Sequence, residues 1–425
     1  MDTVAKRRIL MFCSESRGLG HIRRLSQIAK ALATEHAVLL VTSDLVADDF
    51  VKPPLEFVRI PPLDTSDVTR TRHWDRGEFL DGLVDFALPL RTEILAATFR
   101  SFRPHAMITD FFANGRGGEL LPHLRGSSGM CLNYLVLRGV LGDNAYSSAR
   151  IFSPQALKSL SLFYERIFVA CDSRVLQAPE YKLPHDIERK CQTVGYVHTP
   201  ADETKRAATR RTFGVKPEDT WIVCSAGSGL SSERLITACY RVAQQREDCR
   251  FTLVLGPRSR LRLGNQQTMP AHIMVRRYLP DLNQVLGSCD VAVVHGGYNS
   301  LLESMYGGAT VVVVPNDGET EQMEHARRLA ALADVRLTTA ETLEGMVAEV
   351  LLGRTKKSMT PLVQIDLDGA RRISDQVSRD LATGLPEEEL RAGRGQPKDP
   401  SKRKEVRSRA GAQSNNGFSY TWQGG

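Results

Sequence analysis

The sequence lacks both long hydrophobic runs and paired cysteines. Of its 425 residues, 42% are hydrophobic and 25% are charged, and no apolar run approaches the roughly 20 residues that a transmembrane helix needs. The eight cysteines are scattered without a Cys-x-x-Cys pair, which argues against a zinc site or a disulfide framework. We therefore predict reduced core thiols, a first strand at residues 8–13 in place of a signal peptide, and a cytoplasmic location.

Little net positive charge lies outside the carboxyl-terminal tail. The formal net charge is +7, but residues 391–425 contain eight basic and two acidic side chains and carry +6 of it. A nearly neutral body argues against specific nucleic-acid binding. Residues 386–425 are poor in aliphatic side chains and are predicted to be a disordered basic tail, either solvated or in contact with anionic lipid or RNA.

The most informative stretch of the chain lies between residues 290 and 329. Val291–Val294 is a short β-branched run and predicts a buried parallel strand. Two adjacent glycines follow it, and a helix with Asn299 or Ser300 as its cap is expected next. Glycines allow close backbone approach, and a helix amino end attracts anions, so we predict a diphosphate site. Its predicted residues are His295, Gly296, Gly297, Asn299 and Ser300.

Hydroxyl-binding groups are expected beside this diphosphate site. Glu303 lies about one helical turn further along and is predicted to bind ribose. A second buried strand at residues 310–314 leads to Glu321 and Gln322, which are predicted to bind a sugar. Phosphates at one strand end and hydroxyls at the next would suit a nucleotide sugar.

These segments together resemble the donor-binding signature of GT-B glycosyltransferases of the family 28 type. The resemblance rests on His295-Gly-Gly-x-Asn-Ser-x-x-Glu303, a valine run ending at Pro315, and Glu321-Gln-x-x-x-Ala-x-x-Leu, in that order. That family includes the N-acetylglucosaminyltransferase of peptidoglycan lipid synthesis. The resemblance covers about residues 8–385 and implies an α/β GT-B fold with two doubly wound Rossmann-like domains facing a cleft. It also implies that backbone groups near Leu279 hold the nucleobase.

A glycine-rich turn follows the first predicted strand and contains Gly18-x-Gly20-His21. It resembles the first loop of the acceptor-side domain in family 28-like enzymes and a loop of sugar-nucleotide hydrolases. His21 is the predicted general base, with turn capping or phosphate binding as alternatives. A dinucleotide-binding turn would have its third glycine where Arg23 stands. An NAD site is therefore kept only as an alternative hypothesis. The neighbouring arginines, Arg17, Arg23 and Arg24, are either phosphate ligands or solvated.

Asp110 ends another predicted strand, at the sheet edge where α/β folds place functional groups. It is predicted to act as a base or to orient His21, and the alternative is that it caps the next helix. The nearby segments Thr-Asp-Phe-Phe and Glu-Leu-Leu-Pro resemble a group of bacterial predicted glycosyltransferases.

A second glycine-rich turn, after the predicted strand at residues 221–225, is expected to contact the same diphosphate from the other side. Its predicted contacts are Gly227, Ser228, Gly229 and Arg258. We predict an acceptor-side domain at residues 1–197 and a donor-binding domain at 198–385, with six strand–helix alternations in each.

The predicted reaction moves a sugar from a UDP- or TDP-sugar to an acceptor hydroxyl with inversion. No Asp-x-Asp lies near either glycine turn, so neither metal nor another cofactor is expected to be required. A sugar-nucleotide hydrolase, a 2-epimerase and a non-catalytic sugar-nucleotide-binding or membrane-associated scaffold subunit are the alternatives. The acceptor is a small molecule, a glycan or a lipid-linked sugar. A lipid-linked acceptor would involve peripheral contact with the inner membrane face through residues 79–95, which otherwise form a core helix.

Overall fold

The protein is described by a computed structural model over ten segments of the chain. These are residues 6–13, 19–44, 47–63, 84–126, 129–141, 151–198, 201–229, 233–264, 269–354 and 365–383. Arg17, Gly18, residues 64–83 and the predicted tail at 386–425 lie outside the described residues. The start of the predicted membrane-contact stretch at 79–95 is therefore among them.

The first half of the chain forms a seven-stranded sheet in the order β3-β2-β1-β4-β5-β6-β7, and every pair of neighbouring strands is parallel. The strands are β1 (Arg8–Cys13), β2 (Ala37–Thr42), β3 (Glu56–Arg59), β4 (Ala106–Asp110), β5 (Leu132–Leu137), β6 (Arg166–Val169) and β7 (Cys191–Thr193).

The second half forms a separate six-stranded sheet, also parallel, in the order β10-β9-β8-β11-β12-β13. Its strands are β8 (Thr220–Ser225), β9 (Cys249–Val254), β10 (Ile273–Arg276), β11 (Val291–Val294), β12 (Thr310–Val313) and β13 (Val335–Leu337). The predicted boundary at residues 197/198 falls in the connection between the two sheets.

The expectation of six strands in each half is wrong for the first half, because β3 makes a seventh. The sequence does not predict this strand. Only four residues long, it sits at the sheet edge, where Phe57 and Val58 are half-buried. A strand this short and this weakly alternating leaves almost no periodic signal.

Helices cover both sheets. In the first half the described α-helices are α1 (Leu19–Leu32), α2 (Ala47–Phe50), α3 (Val84–Phe102), α4 (Leu121–Gly126), α5 (Pro154–Phe163) and α6 (His185–Glu188). In the second half they are α7 (Arg206–Thr212), α8 (Glu233–Gln245), α9 (Leu282–Leu286), α10 (Tyr298–Tyr306), α11 (Thr320–Ala330), α12 (Leu343–Arg354) and α13 (Gly369–Thr383). None of the helices within the described ranges is long and apolar enough to cross a bilayer.

Alternating strand residues supply the cores of the second domain. Val293 of β11 packs in the layer formed with α8 and α12, whereas Val294 packs in the layer formed with α10 and α11. The second of these layers also contains Tyr196 and Cys171 from the first half of the chain. One hydrophobic cluster therefore joins the two domains beneath their cleft.

The chain crosses back to the first domain at the end of its described part. α13 packs against α1, where Ile373 and Val377 are fully buried. Asp380 of the same helix accepts two hydrogen bonds from Arg166 of β6, at 2.9 and 3.0 Å. The last described helix thus belongs physically to the first domain.

The predicted core thiols are also present. All eight cysteines are free, seven are buried, and Cys191 is half-buried.

Candidate active site

His21 and Asp110, 89 residues apart in sequence, meet at the carboxyl edge of the first sheet. Strands β1 and β4 are neighbours with Cys13 beside Asp110, and His21 lies in the first turn of the helix that follows β1. The Nδ1–H of His21 donates to Oδ2 of Asp110 at 2.5 Å, and both side chains are buried. This tautomer leaves Nε2 as the basic nitrogen, and Nε2 has no hydrogen-bond partner among the described residues.

Arg24 completes this buried group. Its Nε and one terminal nitrogen donate to Oδ1 of Asp110 at 3.0 and 2.6 Å. Burial favours the neutral acid, but the charges of Arg24 and His21 outweigh that effect and lower the pKa of Asp110. Both carboxylate oxygens are thus engaged by these two side chains, so the helix-capping alternative for Asp110 is wrong. Arg24, only 2% exposed, is also not the solvated arginine that the sequence allowed.

Phe111 holds a strained position beside the dyad. Its backbone has φ = 70°, a left-handed conformation that bulky residues rarely adopt. The ring meets the His21 ring edge-on with centroids 5.1 Å apart, and its face lies 4.6 Å from the guanidinium carbon of Arg138. Such strain costs about 1–3 kcal/mol and concentrates at functional sites.

The first predicted diphosphate turn follows β11. Its helix is capped by Gly297 and begins at Tyr298, so the expected cap at Asn299 or Ser300 is wrong and both lie inside the first turn. The first helical residue contacts the first domain: the hydroxyl of Tyr298 accepts from the Val197 amide at 2.9 Å and donates to the Ala170 carbonyl at 3.0 Å. A glycine cap leaves the first amides of the helix without a side-chain acceptor.

Close packing joins this turn to the predicted sugar-binding residues. Gly296 has φ = 88°, and a Cβ there would lie 2.8 Å from the Val313 side chain and 3.2 Å from the carbonyl oxygen of Gln322. The Gln322 side-chain oxygen accepts from the Asn316 amide at 3.1 Å. His295 Nδ1–H donates to the Val314 carbonyl at 2.9 Å, so Nε2 can donate to an anion only in the charged form of the ring.

The second predicted turn is interlocked with the loop after β9. Gly229 has φ = 88°, and a Cβ there would lie 2.7 Å from the Leu255 carbonyl oxygen and from the Ser259 amide. The Ser228 carbonyl accepts from the backbone amide of Arg258 at 3.0 Å. The structure therefore brings Gly227, Ser228, Gly229 and Arg258 into one double loop. Leu279 lies elsewhere, between β10 and α9, half-buried against the core around Trp221.

The two predicted hydroxyl-binding carboxylates are both paired with arginines of the first domain. Arg23 contacts Oε1 of Glu303, and Arg138 contacts Oε2 of Glu321. Burial raises the pKa of each glutamate, and each arginine opposes that rise. The second carboxylate oxygen of Glu303 is buried without a hydrogen-bond partner in the described part of the chain.

These arginine pairings are what the sequence analysis missed. The sequence predicts Arg23 only as a phosphate ligand or a solvated side chain, and no pattern in it marks Arg138 or gives a role to Phe111. The one available signal for Arg138 was its position directly after a buried strand, the place where α/β folds put functional groups.

A pocket of about 700 Å³ opens beside His295 and the residues that precede α11. It is lined by Pro315, Thr320 and Arg327, among others, and by Arg234 at the start of α8. Such a volume is within the range of small-molecule sites. Over the described segments, no group of three or more His, Cys, Asp or Glu side chains is arranged to hold a metal ion.

Comparison with known proteins defines the class of this molecule. The model of the glycosyltransferase family 28 C-terminal domain matches residues 224–375. An uncharacterized glycosyltransferase of Methanosarcina mazei is 20% identical over 387 residues, covering 88% of this chain and 98% of the relative.

Solved structures match over similar lengths. The calicheamicin glycosyltransferase CalG4 aligns with a TM-score of 0.59 at 16% identity, over 90% of this chain and all of CalG4. MnaA of S. aureus, solved with UDP, aligns with a TM-score of 0.60 at 12% identity, over 88% of this chain and 97% of MnaA. These likenesses, with the two parallel sheets, define a GT-B fold, as predicted.

The family match also bears on the family predicted from the sequence. The predicted resemblance to GT-B glycosyltransferases of the family 28 type is confirmed, with the family model matching within the second half of the chain. These matches also support the prediction that the protein is a transferase enzyme.

Proposed function

We propose that the protein transfers a sugar from a nucleoside diphosphate sugar, with UDP or TDP as the nucleotide, to an acceptor hydroxyl in one inverting displacement that needs no metal ion. The observation that carries this proposal is the buried hydrogen bond between His21 Nδ1 and Asp110 Oδ2. Because an ionised Asp110 can only accept, the proposed tautomer carries its proton on Nδ1 and leaves Nε2 basic, as a general base requires.

The proposed displacement forms one bond at the anomeric carbon of the sugar and breaks another. His21 Nε2 takes the proton of the acceptor hydroxyl while the hydroxyl oxygen forms a bond to the anomeric carbon. The bond from that carbon to the diphosphate oxygen breaks, and the nucleoside diphosphate leaves with the electron pair. Asp110, which the Arg24 contact keeps ionised, stabilises the imidazolium that forms.

The donor side is proposed to bind the leaving diphosphate through backbone amides. The amino end of α10 after Gly297 and the double loop around Gly229 supply donors that can stabilise developing negative charge. In this proposal Glu303 binds ribose, Glu321 and Gln322 bind the sugar, and backbone near Leu279 binds the base. The choice of UDP is supported by the neighbour of the same fold that was solved with UDP.

Exposed apolar side chains on α3 support a lipid-linked acceptor within this proposal. Phe86 and Leu90, one helical turn apart on α3, are 65% and 43% exposed. Apolar side chains grouped on a helix face suit a membrane surface or an apolar acceptor tail. Peripheral contact with a membrane would then bring α3 to the lipid.

The test is turnover by His21→Ala, with His185→Ala as a matched control at an exposed histidine of the same domain. Release of UDP or TDP from the corresponding glucose conjugates is measured with and without a panel of hydroxyl acceptors. We expect His21→Ala to lose activity by about 10²–10⁴-fold while binding of the diphosphate is unchanged. Equal turnover in the two variants would remove His21 as the base. Full release without an acceptor would replace the transferase by a hydrolase.

A further inference from the structure

Close packing of the neighbouring backbone fixes the position of Arg138 at the cleft. It follows β5 directly, and the next residue, Gly139, has φ = 67°. A Cβ on that glycine would lie 2.5 Å from the Cβ of Cys171, and the Tyr181 hydroxyl donates to the Gly139 carbonyl at 2.5 Å. Contacts with Cys171 and Tyr181 thus fix the backbone beside Arg138, and this restricts the positions that the guanidinium can occupy.

The guanidinium of Arg138 links the two halves of the active site. Its face covers the ring of Phe111 at 4.6 Å, and that ring contacts His21. Its terminal nitrogen pairs with Glu321 of the second domain. Arg138 therefore lies between the proposed base and the proposed sugar-binding carboxylate.

Two buried polar atoms next to this ion pair have no hydrogen-bond partner in the described segments. One is Nε of Arg138, and the other is the hydroxyl oxygen of Thr320, which directly precedes Glu321. Buried polar groups are nearly always paired in folded proteins because leaving them unpaired is costly. An unpaired donor beside a carboxylate and a hydroxyl would be satisfied by a ligand that both donates and accepts, as sugar hydroxyls do.

We propose that Arg138 is a sugar-positioning residue that forms, with Glu321, a clamp across the cleft for the transferred sugar. A sugar hydroxyl accepts from Nε of Arg138 and donates to Glu321, and Phe111 holds the guanidinium in register with His21. The inference rests on the proposed nucleotide-sugar donor. It requires that Arg138 contribute to recognition of the sugar and not of the nucleoside diphosphate.

The test compares Arg138→Gln with Arg328→Gln. Arg328, on the same helix as Glu321, also makes an ion pair between the domains, with Glu180 at 2.7 Å. Both substitutions remove an interdomain arginine–glutamate pair, but only the first removes a group beside the base. Arg138→Lys is a second variant that keeps the charge and lacks both Nε and the planar face over Phe111.

Calorimetric titrations with UDP, TDP and GDP and with their glucose conjugates give two affinities for each variant. We expect Arg138→Gln and Arg138→Lys to weaken the conjugate about tenfold relative to the free diphosphate, the factor for one hydrogen bond to a charged group. Arg328→Gln should leave that ratio unchanged.

The opposing outcomes separate this inference from the proposed function. An equal effect of Arg138→Gln on diphosphate and conjugate, or the same change of ratio in Arg328→Gln, would overturn the clamp alone. Absence of binding of every diphosphate to the unmodified protein would overturn the proposed donor site, and the clamp with it.

Discussion

Acid should destabilise the contact between the domains through His325. This histidine of α11 is 4% exposed and shares a 2.8 Å hydrogen bond with the hydroxyl of Tyr196 beneath the cleft. Burial, assisted by the positive charges of Arg138 and Arg328, lowers its pKa from an ordinary 6.5 to about 3. The folded protein therefore holds His325 neutral at pH values where the unfolded chain would protonate it.

The sign and size of the effect follow from proton linkage. Because the folded pKa is depressed, this contribution to stability is complete above about pH 6.5 and is lost as the pH falls toward about 3. Each pKa unit corresponds to about 1.4 kcal/mol, so the loss relative to pH 7.5 is on the order of 1 kcal/mol at pH 5.5 and on the order of 3 kcal/mol at pH 4.5.

Urea unfolding at pH 7.5, 5.5 and 4.5 measures this loss. His325→Gln keeps a polar partner for Tyr196 but cannot take up the proton, so its free energy of unfolding should fall with acid by those amounts less than that of the unmodified protein. His185→Gln, at an exposed site, is the control and should follow the unmodified protein. Parallel pH curves for His325→Gln and the unmodified protein would show that His325 does not cause the loss of stability in acid.

Three further substitutions test separate parts of the site. Asp110→Asn should lower kcat by about 10²–10⁴-fold while leaving diphosphate affinity within twofold, as stopped-flow and calorimetric measurements would show. Glu303→Ala should weaken nucleoside diphosphate binding at least about tenfold by calorimetry, because the proposed ribose contact is lost. Gly229→Ala should cost more than about 1 kcal/mol in urea unfolding, since its φ is 88° and a Cβ would contact the Leu255 carbonyl oxygen.

The donor half was predictable because its information is local. β11, the glycine turn and α10 follow one another within sixteen residues, and the chain itself dictates that they form a strand, a turn and a helix. The anchoring of the helix was not predictable, because the hydroxyl of its first residue, Tyr298, bonds to Ala170 and Val197. Those contacts are more than 100 residues away in sequence.

The acceptor half was only partly predictable. His21 and Asp110 could each be proposed as a group at a strand end, but their pairing needs the adjacency of β1 and β4. The role of Arg24 depends on its burial, and the sequence does not show whether an arginine on a helix face is buried. The pairing of Arg138 with Glu321 joins two domains, and no periodicity or motif encodes such a contact.

The measurement that tests the central claim most directly is binding of UDP, TDP, GDP, ADP and NAD to the purified protein in EDTA, followed by thermal shift and calorimetry. A ligand at 100 times its dissociation constant should add about 2.7 kcal/mol to stability. We expect UDP or TDP to bind, EDTA to leave the affinity unchanged, and Glu303→Ala to weaken it. Binding of NAD alone, or of a diphosphate only when a divalent metal is restored, would contradict a metal-free nucleotide-sugar site.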